Sequence, residues 1–304
     1  MKLRTAIFLL SIFTSFTVFS MDFHWKGNEG NWNDPTQWEE GKIPNTDSKV
    51  FVSSGKVFIL KKDIITIAQL EISGGGKIDN SGKLNLSNEN GIGIVLKDFA
   101  NLKNQKKGTI SIARTGETGI KISGNAIFLN AGKVYIGNEI EQTGKRGKEI
   151  GLHGLWMEGQ SIFRNNKLLS IQNTAGKGLW VAEEAIFTNH KKVKIGGLLS
   201  LLQRHGIENE AIFTNNKKGK IYVDGTYLDA IRNISNGRFE NLGKIYLGKI
   251  KSISSYGIYA TDNSDFRNQE KGKVLFYTTR NGRTRKVESG KITNLGQFIE
   301  KKSK

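Results

Sequence analysis

The chain has no cysteine and only 2 prolines among its 304 residues. The first absence excludes disulfides, thiolate nucleophiles and cysteine metal sites, so stability has to come from packing. The second, beside 36 glycines, fits neither a proline-rich linker nor a collagen repeat and suits many short strands joined by glycine turns. Aspartate is missing between Asp98 and Asp224, which leaves little for the clustered carboxylates of calcium-dependent or acid–base carbohydrate chemistry. The four histidines, His24, His153, His190 and His205, have no spacing that marks a metal site. After the first 20 residues no segment is apolar for long enough to span a bilayer.

What is present begins with MKLRTAIFLLSIFTSFTVFS, which has the parts of a secretory signal: Lys2 and Arg4, an apolar run from about Ala6, and Ser20 with Val18 two before it. Residues 1–20 are read as removed on export, with a retained anchor as the alternative. Loss of Lys2 and Arg4 takes the formal charge from +18 to +16. Such a chain attracts polyanions: acidic glycans, anionic lipid surfaces or nucleic acid. For an exported protein, acidic polysaccharide or a cell surface is the expected partner, and nucleic acid is not expected as a regular one.

The stretch AIFTNHKKVKI at 185–195 returns as AIFTNNKKGKI at 211–221. It belongs to a wider pattern of small, any, apolar, any, Asn, ending at Asn80, Asn104, Asn130, Asn165, Asn189, Asn215, Asn241, Asn268 and Asn294, at intervals of 24, 26, 35, 24, 26, 26, 27 and 26 residues. Behind each of the first eight Asn comes a turn and an apolar alternation, as in Val193 and Ile195 or Ile221 and Val223. Period two denotes a strand with one buried face. Before most Asn stands a Gly-Ile or Gly-Leu element, and no helical stripe of useful length occurs. Units of this size that hold only short strands must stack to share a core. The expected fold is all-β: a right-handed parallel β-helix of about nine coils. Each repeated position becomes a column, with Phe128, Phe163, Phe187, Phe213, Phe239 and Phe266 stacked inside and the Asn amides bonded to one another at a turn. The long interval from Asn130 to Asn165 makes 137–150 a loop leaving the coil, and Asn281-Gly282 suggests the tip of a basic hairpin over 278–290. Residues 21–62, outside the repeat and holding Trp25, Trp32 and Trp38, are read as an N-terminal cap of aromatic rings over the end of the core, with a sugar-binding trio as the alternative. Residues 63–304 form the β-helix.

The runs W-K-G, G-N-W-N-D-P, Q-W, G-K-I-P and D-S-K-V within 25–50 resemble the leading motif of secreted bacterial β-helix proteins. The later GI, A-x-F-x-N and GK-I-x-I units resemble passenger regions of autotransporter and filamentous-haemagglutinin-type adhesins. This resemblance, over most of 24–298, implies export and a surface or adhesive role and no catalytic residues. It also implies a C-terminal membrane barrel, where this chain ends in EKKSK. Free secretion, a separate membrane barrel or other anchoring partner, and another route to the surface stay open.

No catalytic residue, metal or cofactor is expected. Glu184 and Glu210 would stack as one carboxylate pair among lysines, a solvated charge column. Arg204 and His205 beside Asp229 and Arg232 carry the rival reading, a lyase on acidic polysaccharide; a purely structural envelope rod is a third. Two outward columns are the candidate ligand-binding faces. One runs Val95, Lys121, Trp156, Trp180, Glu208, Arg232, Tyr259, where Trp156, Trp180, Arg232 and Tyr259 either hold a sugar or acidic chain or lie packed under the 137–150 loop. The other is cationic: Lys83, Lys133, Lys192, Lys220, Lys244 and Lys273, interrupted by Thr109 and Leu168. It either follows a polyanion or keeps the strands soluble and unpaired at their edges.

Overall fold

The computed structural model describes residues 21–137, 150–197, 202, 204–277, 279 and 283–301. Among the described residues, short strands turn through three parallel sheets, with eleven strands in the first, eleven in the second and ten in the third. Within each sheet a strand pairs with the strands one coil before and one coil after, and every one of these pairings is parallel. The molecule is therefore an all-β parallel β-helix of about ten turns.

Alternation explains why these residues make these strands. In Ile186–Asn189 and Lys192–Ile195 the second and fourth positions are buried and the first and third face outward. The inward Phe128, Phe163, Phe187, Phe213, Phe239 and Phe266 are register partners, with ring centroids 4.3 to 5.4 Å apart. Their column and the aliphatic positions beside it form one continuous core along the axis. Glycine before the first-sheet strands has a steric cause: a Cβ on Gly154 would come within 2.2 Å of the Ile171 Cγ2.

At the corner between the second and third sheets, each Asn from Asn80 to Asn268 donates its Nδ2 to the Oδ1 of the Asn one coil on, at 2.7 to 2.9 Å. The Oδ1 also takes the backbone N–H two residues ahead, as from Lys191 to Asn189 at 3.2 Å. One side chain thus closes the turn and joins it to the next coil. A second, shorter amide ladder that the repeat does not reveal runs from Asn209 to Asn233 at 2.7 Å.

The N-terminal boundary differs from the expected one. Lys49–Val52 and Lys56–Ile59 are full rungs, in register with Gln69–Ile72 and Lys77–Asn80, and Asp22–His24 and Glu29–Asn31 add another. The segment 21–62 lies outside the motif and inside the solenoid, because a rung needs only an apolar residue at its inward positions; Ile59 occupies the place of the Asn. In the first coil a single 3₁₀ turn, Pro35–Gln37, follows the second strand. Trp25, Trp32 and Trp38 are 3%, 0% and 0% exposed and meet edge to face at 5.0 and 5.1 Å. Their rings belong to the core and offer no face to a sugar.

The basic hairpin is also corrected. Arg285–Val287 pairs in parallel with Ile258–Ala260 as another rung of the first sheet, and Thr279 bridges Ile253 in parallel. An available parallel edge outweighs a local turn signal. Asn281 and Gly282, like the signal at 1–20 and the loop residues 138–149, lie outside the described residues; Ile150 at the end of that loop is buried and bridges Thr115 and Thr174.

Candidate ligand-binding faces

The first-sheet column stands as the alternation places it: Lys121, Trp156, Trp180, Glu208, Arg232 and Tyr259 are successive register partners. Trp156 and Trp180 stack at 4.9 Å and 11°. Their outer faces are taken, with the Lys121 Nζ 4.0 Å from the Trp156 centroid and the Lys177 Nζ 3.2 Å from that of Trp180. His153 meets both rings edge-on, and the Trp180 Nε1 donates to Glu210 at 2.8 Å. A cation–π contact on each side and a ring between leave a sugar no free indole face without displacing a lysine.

Further along, the column becomes a buried charge cluster. Glu208 receives the Lys177 ammonium at 2.5 Å, and the His205 Nε2 is 3.6 Å from Glu208 and 3.0 Å from Arg232. The His205 Nδ1 is 3.3 Å from the Asp229 carboxylate. Burial alone would raise the Asp229 pKa, but the His205 contact and the Tyr256 N–H outweigh it and hold it below the ordinary value. His205, Glu208 and Asp229 are 4 to 6% exposed. Of the residues of the lyase reading, His205 touches both Asp229 and Arg232, and the next residue of the column, Tyr259, is bonded to Glu288. Glu184 and Glu210 take different partners: Glu184 accepts from Gln160 at 2.8 Å and Glu210 from Trp180. Among the described residues one His/carboxylate trio has metal-ligand spacing, His24, Glu39 and Glu40; Glu40 already accepts the backbone N–H of His24 at 3.1 Å.

His153 yields a direct test. Its Nδ1 accepts the Lys177 N–H at 3.1 Å, and burial, then the Lys177 charge, push its pKa from 6.5 to about 4. The folded state thus binds this proton less readily than the unfolded chain. Its contribution to stability is intact above pH 6.5 and is lost as pH falls toward 4. Titration of the His153 ring protons by NMR should show a midpoint below pH 5; one near 6.5 would mean that the ring is solvated.

The lysine column lies on the outward face of the third sheet, at the edge beside the Asn ladder. Lys133, Leu168, Lys192, Lys220, Lys244 and Lys273 are consecutive partners. The turns before them add cations that the column rule missed. A groove of about 400 Å³ is lined by Asn166, Lys167, Lys191, Lys192, Lys218, Lys220 and Tyr222. Another of about 360 Å³ is lined mainly by Lys61, Lys83, Lys106, Lys107, Lys133 and Lys167. The K-K-x-K and K-K-G-K spellings of these turns were the available signal. Elsewhere some lysines pair with carboxylates: Lys56 with Asp79 at 3.2 Å, Lys97 with Glu71 at 2.8 Å, Lys121 with Glu158 at 2.9 Å. Among the described residues no carboxylate pairs with Lys133, Lys192, Lys220, Lys244 or Lys273. Burial lowers the Lys192 pKa, and the charges of Lys194, Lys220 and Lys249 lower it further.

No family model matches the chain, and no curated protein does. Among solved structures it is similar to a hyper-glycosylated TibA fragment, a product of TibC catalysis, at 12% identity over 94% of each chain with a TM-score of 0.23. So weak a likeness says nothing of function.

Proposed function

We propose that this protein is an exported, surface-exposed binder of adhesin type, whose lysine-lined corner contacts acidic polysaccharide at a cell or matrix surface. The single observation that carries the reading is the run of cations along this corner. Lys133, Lys192, Lys220, Lys244 and Lys273 follow one another coil by coil, interrupted at Leu168, with no carboxylate paired to them among the described residues, and a polyanion laid along the stripe would relieve their repulsion. The two grooves give such a chain a track across successive coils. Export by residues 1–20, and retention by a separate membrane barrel or other anchor, belong to the same reading.

The test is charge reversal. Lys192→Glu, Lys220→Glu and Lys244→Glu together should weaken binding to alginate or heparin by roughly 2 kcal/mol, since each exposed pair contributes about 0.2–1 kcal/mol and repulsion is added. On resin this is elution at much lower salt. Unchanged retention would remove the stripe as the contact surface.

A further inference from the structure

Resting on that reading, we propose that Tyr222 and Tyr246, with Lys192, Lys220, Lys244 and Lys249 around them, form a subsite for pyranose units of an acidic carbohydrate chain lying along the rod. This subsite makes the surface select a sugar polymer over polyanions that offer charge alone.

The sequences K-I-Y-V at 220–223 and K-I-Y-L at 244–247 put Lys and Tyr on the same outward face, two positions apart. Lys220 and Lys244 are partners across the coils, and so are Tyr222 and Tyr246. The two phenol rings stack at 4.6 Å and 5°, so each covers one face of the other and the pair presents ring edges and hydroxyls to solvent. Both rings are half-buried. The Lys192 Nζ lies 5.3 Å from the Tyr222 centroid, and the Lys249 Nζ lies 5.5 Å from that of Tyr246. A cation therefore lies within reach of each ring.

The hydroxyls distinguish this pair from the other aromatic column. The Tyr259 hydroxyl is taken by Glu288, whereas those of Tyr222 and Tyr246 make no hydrogen bond to a described residue. Burial, then the neighbouring Tyr246 and Tyr277, raise the Tyr222 pKa, so the hydroxyl keeps its proton. A phenol can then donate to a carboxylate or ring oxygen and accept from a sugar hydroxyl, while its ring edge meets sugar C–H groups. A polyphosphate chain at neutral pH supplies neither C–H groups nor hydroxyl donors. Geometry points the same way: coils repeat at about 4.8 Å, close to the length of one pyranose in an extended chain. One sugar unit per coil keeps each acidic group within reach of a lysine.

The experiment measures affinity of the protein for polygalacturonate, heparin and polyphosphate of matched charge at fixed salt. It uses Tyr222→Ala with Tyr246→Ala, the corresponding Phe pair, and the triple lysine-to-glutamate variant. The Ala pair should lose about tenfold or more for at least one of the two glycans, in keeping with the loss of one or two hydrogen bonds and ring contact, while polyphosphate changes less than about twofold. The Phe pair keeps the stack and should lose an intermediate amount; it decides the matter if the Ala pair unfolds. Equal weakening for all three polyanions, or no weakening for either glycan, overturns the subsite. If the lysine variant weakens all three and the tyrosine variants none, the corner stands and the subsite falls; if the lysine variant changes nothing, the corner itself is wrong. Phosphatidylserine vesicles that displace the glycans at equal charge would also overturn sugar selection.

Discussion

Phe213→Ala is expected to destabilise the protein by about 3–5 kcal/mol, the range for removing a large buried side chain and leaving a cavity. Phe213 is 0% exposed and lies between Phe187 at 4.6 Å and Phe239 at 4.3 Å. A stacked repeat adds a second effect. Each coil touches only its neighbours, so stability is close to a sum of coil and interface contributions. A hole in the middle weakens both interfaces of one coil and lets the two halves part from each other. Urea denaturation followed by circular dichroism should therefore move to lower concentration and broaden or split. Phe213→Leu, which keeps most of the volume, should cost markedly less. A change below about 1 kcal/mol for the alanine variant would mean that the Phe column is not the core.

Asn189→Leu tests the amide ladder with nearly constant volume. Asn189 accepts from the Asn165 Nδ2 at 2.9 Å and donates to the Asn215 Oδ1 at 2.8 Å, fully buried. Leucine leaves a buried donor on one side and a buried acceptor on the other, at about 1–3 kcal/mol each, so a loss of about 2–5 kcal/mol in thermal or urea unfolding is expected. Asn189→Asp separates shape from hydrogen bonding. A carboxylate still accepts from Asn165 but cannot donate to Asn215, and burial raises its folded-state pKa above the unfolded value. The deficit should be largest near pH 7 and shrink as pH falls through that raised pKa, where the protonated acid becomes a donor. A pH-independent deficit would show that solvent reaches the ladder.

Much of this architecture is legible because a solenoid repeats its solution. The Asn interval marks the coil, the alternation around Val193 and Ile195 marks the strand, and together they place residues 26 apart as register partners. The first coils escape the rule: Val57 stands in the Phe column and Ile59 in the Asn place, since the core demands apolar volume rather than a particular ring. Arg285–Val287 escapes it for another reason, because its short basic run becomes a strand only where Ile258–Ala260 offers an edge.

The faces were half legible. Alternation sets Trp156 over Trp180 and Lys192 over Lys220, yet it is silent on what covers a ring. Lys177, three residues before Trp180 and outside its column, closes that face. The sequence already sets His205 beside Asp229 and Arg232; what it does not give is that Glu208 and Lys177 join the same buried cluster. Tyr222 and Tyr246 were legible in principle, standing two places after a lysine already singled out, and were missed because that rule stopped at the first outward position.

The amide file at the corner also has a direction. Every bond in it runs from a nitrogen in one coil to an oxygen in the coil that follows. Each asparagine is thus a connector with one socket and one plug, and a duplicated coil spliced between two others fits without any new chemistry. Such a polymer can change length by whole units while its cross-section and surface pattern stay the same, and the near-identical stretches at 185–195 and 211–221 have the form that such growth leaves behind.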